Sequence, residues 1–197
     1  MKNALLSLFC MIGLLAFGQD PVQTGERSII TKEQINTYKL SADRWLVRFE
    51  SGVSESRKDQ LLYNTGIVGA IEHLPSPEVS LIRVQSQNSE KQILNTLQAL
   101  PQVLYAARGM VFGDGTNEFP LDRVFVQLKD GRQRGYLSQK AAQFGYEEAG
   151  ESFMPDLMEL VFHKNSTLDP VAFSNMLQGE GVVDWSEPDM LKLLKKM

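Results

Sequence analysis

The chain has 197 residues, 43% hydrophobic and 22% charged, with 20 basic against 24 acidic side chains and a net charge of −4. That composition is ordinary for a soluble globular protein of one domain or two small ones, and the acidic balance speaks against nucleic acid as a partner. One cysteine, Cys10, and two histidines, His73 and His163, exclude a cysteine zinc site and a disulfide framework and leave little for a catalytic triad.

Met1-Lys2-Asn3 gives a short basic start, and Ala4 to Phe17 follows as an uncharged apolar run. Ala16-Phe17-Gly18 then sets small residues at a cleavage site before Gln19. Residues 1–18 predict a secretory signal peptide, since ~14 apolar residues fall short of the ~20 needed to span a bilayer. A secreted or periplasmic location follows, with no membrane association after cleavage. The remaining 197 − 18 = 179 residues hold no cysteine, so packing alone must hold the fold. Residues 19–42 read as a polar extension, in which Thr31-Lys32-Glu33-Gln34 has capping-box spacing for a short helix.

The rest reads as one unit written twice. Asp43 to Gly52 aligns with Asp122 to Gly131 at an offset of 79, and both are alternating strands that run into a glycine turn. Held without a gap, that offset gives ten identities over residues 43–112, among them Gly66 with Gly145, Leu81 with Leu160 and Val103 with Val182. In each copy a helix follows, over 54–64 and 134–144, with Gly66 and Gly145 placed as C-terminal caps of positive φ. Strands are expected over 67–74 and 146–154, then, after proline turns, over 79–84 and 157–163. A second helix opens at Ser89-Glu90-Lys91-Gln92 in one copy and at Asp169-Pro170 in the other. A last strand, 103–106 or 182–185, closes each unit. The order β-α-β-β-α-β, twice, predicts two tandem ferredoxin-like domains, each a four-stranded antiparallel sheet with two helices on one face. The boundaries are 43–112 for repeat 1, 113–120 for a linker rich in turn residues, and 121–197 for repeat 2 with its tail.

Chemistry-bearing motifs are few. No nucleophile elbow or phosphate loop occurs, and Asp114 and Asn117 lack a calcium-loop pattern, so no cofactor or metal is expected and the chain does not read as an enzyme. His73 and His163 read as strand-end surface residues. Met154, Met158, Met176 and Met190 fall at apolar positions and read as core filler. Asn165-Ser166-Thr167 is a glycosylation sequon. The C-terminus is more informative: Val182 to Trp185 ends in the acidic turn Glu187-Pro188-Asp189, followed by Met190, Leu191, Lys192, Leu193 and Leu194. This segment suits either a short amphipathic helix or an extended tail that another protein holds as an added strand.

The opening strand and turn, the helix ending in Gly66 or Gly145, and the closing Val182-x-x-Trp185-x-Glu187-Pro188-Asp189 resemble the propeptide domains of secreted subtilisin-like serine proteases. The resemblance covers residues 43–197. Copy one departs at Val103 to Gly109, which lacks the acidic-Pro-acidic element, and no protease catalytic blocks follow copy two. The resemblance implies a secreted protein that binds a subtilisin-like serine protease in trans as inhibitor or folding chaperone. Glu187 and Asp189 would face helix N-termini of the protease, and Met190 to Leu194 would lie in its substrate cleft. The alternative is a secreted structural or interaction module that keeps the fold without a protease partner.

Overall fold

The computed structural model describes residues 26–85, 88–150, 154 and 156–193. The expected signal peptide and Leu194 lie outside these residues. In chain order the first half holds β1 (Arg27–Ile30), β2 (Ile35–Phe49), α1 (Glu55–Tyr63), β3 (Val68–His73), β4 (Val79–Val84), α2 (Glu90–Gln98) and β5 (Val103–Phe112). The second half holds β6 (Asn117–Leu128), α3 (Arg134–Gln143), β7 (Tyr146–Glu148), β8 (Leu157–Phe162), α4 (Pro170–Gln178) and β9 (Val183–Lys192).

Local chemistry explains the helix ends. The Ser54 hydroxyl accepts the Arg57 amide, and Ser89 and Gln92 cap one another reciprocally. Asp169 accepts the amides of Val171 and Ala172, with Pro170 in the first turn. Gly66 and Gly145 adopt φ of +71° and +80° just past α1 and α3, and a Cβ on Gly145 would also meet the Ser166 backbone at 2.9 Å.

The strands join into a single nine-stranded sheet in the order β3-β4-β2-β5-β6-β8-β7, with β1 on β2 and β9 on β6. This corrects the expected pair of separate four-stranded ferredoxin-like domains. The reason is strand length. β5, expected to end at Ala106, runs to Phe112, and β6 begins at Asn117, inside the expected linker. The Gly113–Thr116 turn, with Gly115 at φ +78°, closes a hairpin that pairs Met110 with Glu118 and Val111 with Asn117. A Gly-Asp-Gly run that reads as a linker is therefore a tight turn. The expected helix at Thr31 is also a turn, in which the Thr31 hydroxyl donates to the Gln34 carbonyl at 3.0 Å, and β2 starts only one residue later.

The repeat survives with a corrected register. Trp45 pairs with Ile82 and Val124 with Leu160, so β8 is β4 displaced by 78. Val47 pairs with Ala106 and Val126 with Ser186, so β9 is β5 displaced by 80. β2 and β6 keep 79, as do the starts of α1 and α3 and the positive-φ glycines that follow them. The identities Leu81/Leu160 and Val103/Val182 are therefore not structural equivalents.

Burial ties the halves together. Trp45, Val47 and Phe49 pack with Leu61, Leu62, Ile93 and Leu97 of α1 and α2. Leu46, Leu81, Tyr105 and Ala107 alternate onto the opposite face. They are buried in one core with Val124, Val126, Met158 and Leu160 and with Leu137 of α3 and Phe173 of α4. Each such aliphatic or aromatic side chain stabilises by about 1.5–3 kcal/mol. Arg48 of β2 forms an ion pair with the buried Asp122 of β6, and Glu78 approaches the same guanidinium at 3.3 Å. A third cluster, Ile29, Tyr38, Met110 and Val171, joins the β1–β2 hairpin to α4. Among the methionines, Met158 is fully buried and Met190 packs on this third cluster. Met154, expected in the core, is instead 61% exposed, because its expected strand ends at Glu148.

Candidate functional site

Strand alternation gives the second half two unlike faces. Val124, Val126, Leu128, Met158, Leu160, Phe162 and Ser186 point to α3 and α4 and are buried. The residues between them are half-exposed and form three rows across β8, β6 and β9. Leu157, Gln127 and Trp185 make one row, and Glu159, Phe125 and Glu187 the next. Val161 and Arg123 begin the third, and Asp189 lies near enough to feel the Arg123 charge.

The charges on this face are uneven. Arg123 donates to Glu159, and among the described residues Glu187 and Asp189 form no ion pair on the face. Three carboxylates stand against one guanidinium, a net of −2 when all are ionised. Burial raises the Asp189 carboxyl above its ordinary range; Arg123 opposes this, while Asp122 and Glu159 add to it. At the rim, Lys32 of the β1–β2 turn donates to Asp184 at 2.9 Å and offers its amide to Glu187 at 3.4 Å. The face thus carries two aromatic rings, two aliphatic side chains and a carboxylate surplus, a composition that suits a protein partner with basic or amide-donating groups.

The expected site residues divide along this geometry. Glu187 and Asp189 are on the half-exposed face of β9. Met190, Leu191 and Lys192 are also in β9, paired with Pro120, Phe119 and Glu118 of β6, and the Leu193 amide donates to the Asn117 carbonyl at 3.2 Å. Lys192 forms an ion pair with Glu118 at 3.1 Å. The segment expected to be a free tail is therefore an edge strand held by β6 of the same chain through Lys192. Of the two conformations the segment suits, it takes the extended one as far as Lys192, and the strand that holds it is the chain's own β6.

The histidines are more engaged than their sequence positions indicate. The His73 ring lies between the Ser80 hydroxyl, 3.0 Å from Nδ1, and Asp59 Oδ1, 2.9 Å from Nε2. Ser80 faces His73 directly across the β3–β4 pair, and Asp59 comes from α1. The residues match those of a hydrolytic triad, but Ser80 is fully buried, so no substrate carbonyl reaches its hydroxyl. The signal available to the sequence was the hairpin register, which sets His73 opposite Ser80. His163 Nε2 stands 3.3 Å from the exposed Glu147 carboxylate without hydrogen-bond geometry.

Among the described residues no group of three or more His, Cys, Asp or Glu side chains is placed to hold a metal ion. No helix there is long and apolar enough to cross a membrane. No protein-family model matches the chain, and no curated protein matches it either.

Proposed function

We propose that the chain is a secreted binding protein that engages a subtilisin-like serine protease in trans, as inhibitor or folding chaperone, through the uncovered face of its second half. The observation that supports this reading most is the half-exposed array of Phe125, Trp185, Leu157 and Val161 among Glu159, Glu187 and Asp189. Aromatic anchors supply contact area at small entropic cost. The carboxylates suit helix N-termini, where free amides and the helix dipole favour negative charge. The internal pairing of β9 changes one part of the reading: a segment that occupies the cleft would have to begin after Leu193.

That same pairing favours a second reading, a secreted structural or interaction module without a protease partner. Two measurements separate them. The protein is titrated against a panel of secreted subtilisin-like proteases, and its effect on their refolding is followed in parallel. The first reading expects inhibition or accelerated refolding of at least one protease. It also expects the double variant Phe125→Glu/Trp185→Glu to weaken the effect at least tenfold with an unchanged melting temperature. If the parent protein affects none of them, the second reading replaces the first.

A further inference from the structure

Arg44 of β2 and Arg83 of β4 face each other directly across the strand pair, on the same side of the sheet as Leu46 and Leu81. Arg44 is half-exposed and Arg83 exposed, and neither guanidinium has a hydrogen-bond or ion-pair partner among the described residues. Seven other arginines are described, and each has an acceptor. Five hold carboxylates, Arg57 takes the Gln102 side chain at 3.1 Å, and Arg27 takes the Tyr38 phenol. The two arginines left over are therefore neighbours, and like charges directly opposite one another destabilise a strand pair. β2 also bulges away from β5 between Leu40 and Trp45, so no β5 residue sits opposite Arg44.

The second half shows what this place in the fold holds. Arg123 is the counterpart of Arg44; it donates to Glu159 and lies within the field of Asp189. The first-half equivalents of those two carboxylates are Leu81 and Gly109, and Arg83 stands where the second half has Val161. One cation with two carboxylates in the second half thus becomes two cations with none in the first. Glu72 borders the groove beside the arginines but forms no ion pair with either. That groove, lined also by Ala70 and Leu81, holds about 90 Å³, the share of about three waters. It admits a single carboxylate and is far below the roughly 300–1,000 Å³ of a small-molecule site, so the anion must arrive on a larger chain.

We propose that Arg44 and Arg83 form a docking site for a carboxylate side chain on an acidic segment of a partner protein, which the two guanidinia hold together. Planar guanidinium forks match carboxylate oxygens, and such charge-assisted hydrogen bonds are about twice as strong as neutral ones. The incoming carboxylate gives the first half the pairing that Glu159 gives Arg123, and it relieves the repulsion between the two arginines. The site belongs to the first half and does not rest on the protease reading.

The test follows the anisotropy of a rhodamine-labelled hexaglutamate peptide titrated with the full chain at low ionic strength. The chain's own charge of −4 gives this probe no general attraction to it, yet binding should saturate and should weaken as salt is added. Arg44→Gln/Arg83→Gln should weaken it about tenfold or more, while Arg132→Gln, at an exposed arginine elsewhere, should leave it unchanged. Arg83→Glu gives a second readout. It should abolish peptide binding and raise the melting temperature by about 1–3 °C, because it supplies Arg44 with the partner it lacks. Circular dichroism checks that each variant folds. Absence of saturation, equal affinity in the double glutamine variant, or a lowered melting temperature in Arg83→Glu would each overturn the assignment. Displacement of the peptide by inorganic phosphate more readily than by acetate, at matched ionic strength, would give the site to phosphate instead. Self-association of the parent chain that the double variant abolishes would give it to a second copy.

Discussion

The two halves of the molecule share an element order, yet they use the outward face of the sheet in opposite ways. The corrected register matches Leu46 with Phe125, Leu81 with Glu159, Tyr105 with Trp185, and Ala107 with Glu187. In the first half these positions are buried against the second half; in the second half they are half-exposed. Two carboxylates, Glu159 (beside Arg123) and Glu187, replace an aliphatic and a small side chain, and burying either would cost its hydration. Common topology therefore leaves open which face meets a partner, and the side chains at four equivalent positions decide it.

The sharpest test of this comparison places the same charge on both faces. Leu46 is fully buried, so Leu46→Asp should cost about 4–5 kcal/mol or prevent folding, because it buries an unpaired charge. Phe125→Asp, at the equivalent place, should cost under about 1 kcal/mol and leave a folded protein. Urea unfolding of both variants reads this directly. Equal losses would mean that the second face is covered as the first one is.

The next largest effect belongs to the ion pair that joins the halves. Arg48→Met leaves Asp122, buried in β6, without its guanidinium, and breaking such a pair from one side costs about 3–5 kcal/mol. Removing both charges together, with Asp122→Leu added, should recover most of that loss. A single variant as stable as the parent would show that the two halves are not held by this contact.

Much of this architecture was legible from residues alone, and the failures share a cause. Ser54, Ser89 and Asp169 announce their helices because a cap is a local hydrogen-bond problem. Gly66 and Gly145 announce turns because positive φ is a local steric problem. Fusion of the sheet is not local. Whether Gly113 to Thr116 is a spacer or a hairpin turn depends on the pairing of Met110 with Glu118, a contact between strands that read as shorter. The gapless offset failed similarly, since connections change length inside the copy: β4 and β8 differ by 78 and β5 and β9 by 80, one residue to either side of 79. The acidic face was partly legible, because Glu187 and Asp189 stand out beside Pro188. Phe125, Glu159 and Trp185 join them only once β8 and β9 are known to flank β6.

A smaller effect contrasts the helix-facing sides. Ser174 and Ser186 share a buried hydrogen bond at 3.0 Å, where the first half has Leu94 and Ala106 at the equivalent positions. Ser174→Ala should cost about 1 kcal/mol by leaving the Ser186 hydroxyl with one partner fewer, and Ser174→Ala/Ser186→Ala should cost no more than the single change. Thermal unfolding of the two variants measures the difference. A double variant that loses twice as much as the single would show that the hydroxyls act independently.

The smallest effect contrasts Asp189 with Gly109, its counterpart in the first half. Burial raises the Asp189 carboxyl in the folded protein, and Arg123 offsets only part of that. A raised folded value means that the folded state holds the proton more tightly than the unfolded chain does. The stabilising contribution is therefore present below the ordinary aspartate range and is lost as pH rises through the raised value. At neutral pH the ionised Asp189 is a mild liability, tolerable where a partner would supply amides or cations to it. Because the side chain is about half in solvent, screening holds the effect to a few tenths of a kcal/mol. Asp189→Asn should then match the parent near pH 3 and exceed it slightly at pH 7, with the advantage appearing between the two. Chemical unfolding at several pH values measures this. A variant whose advantage is largest at low pH would reverse the sign and remove Asp189 from the set of groups that solvate the uncovered face at a cost to the isolated protein.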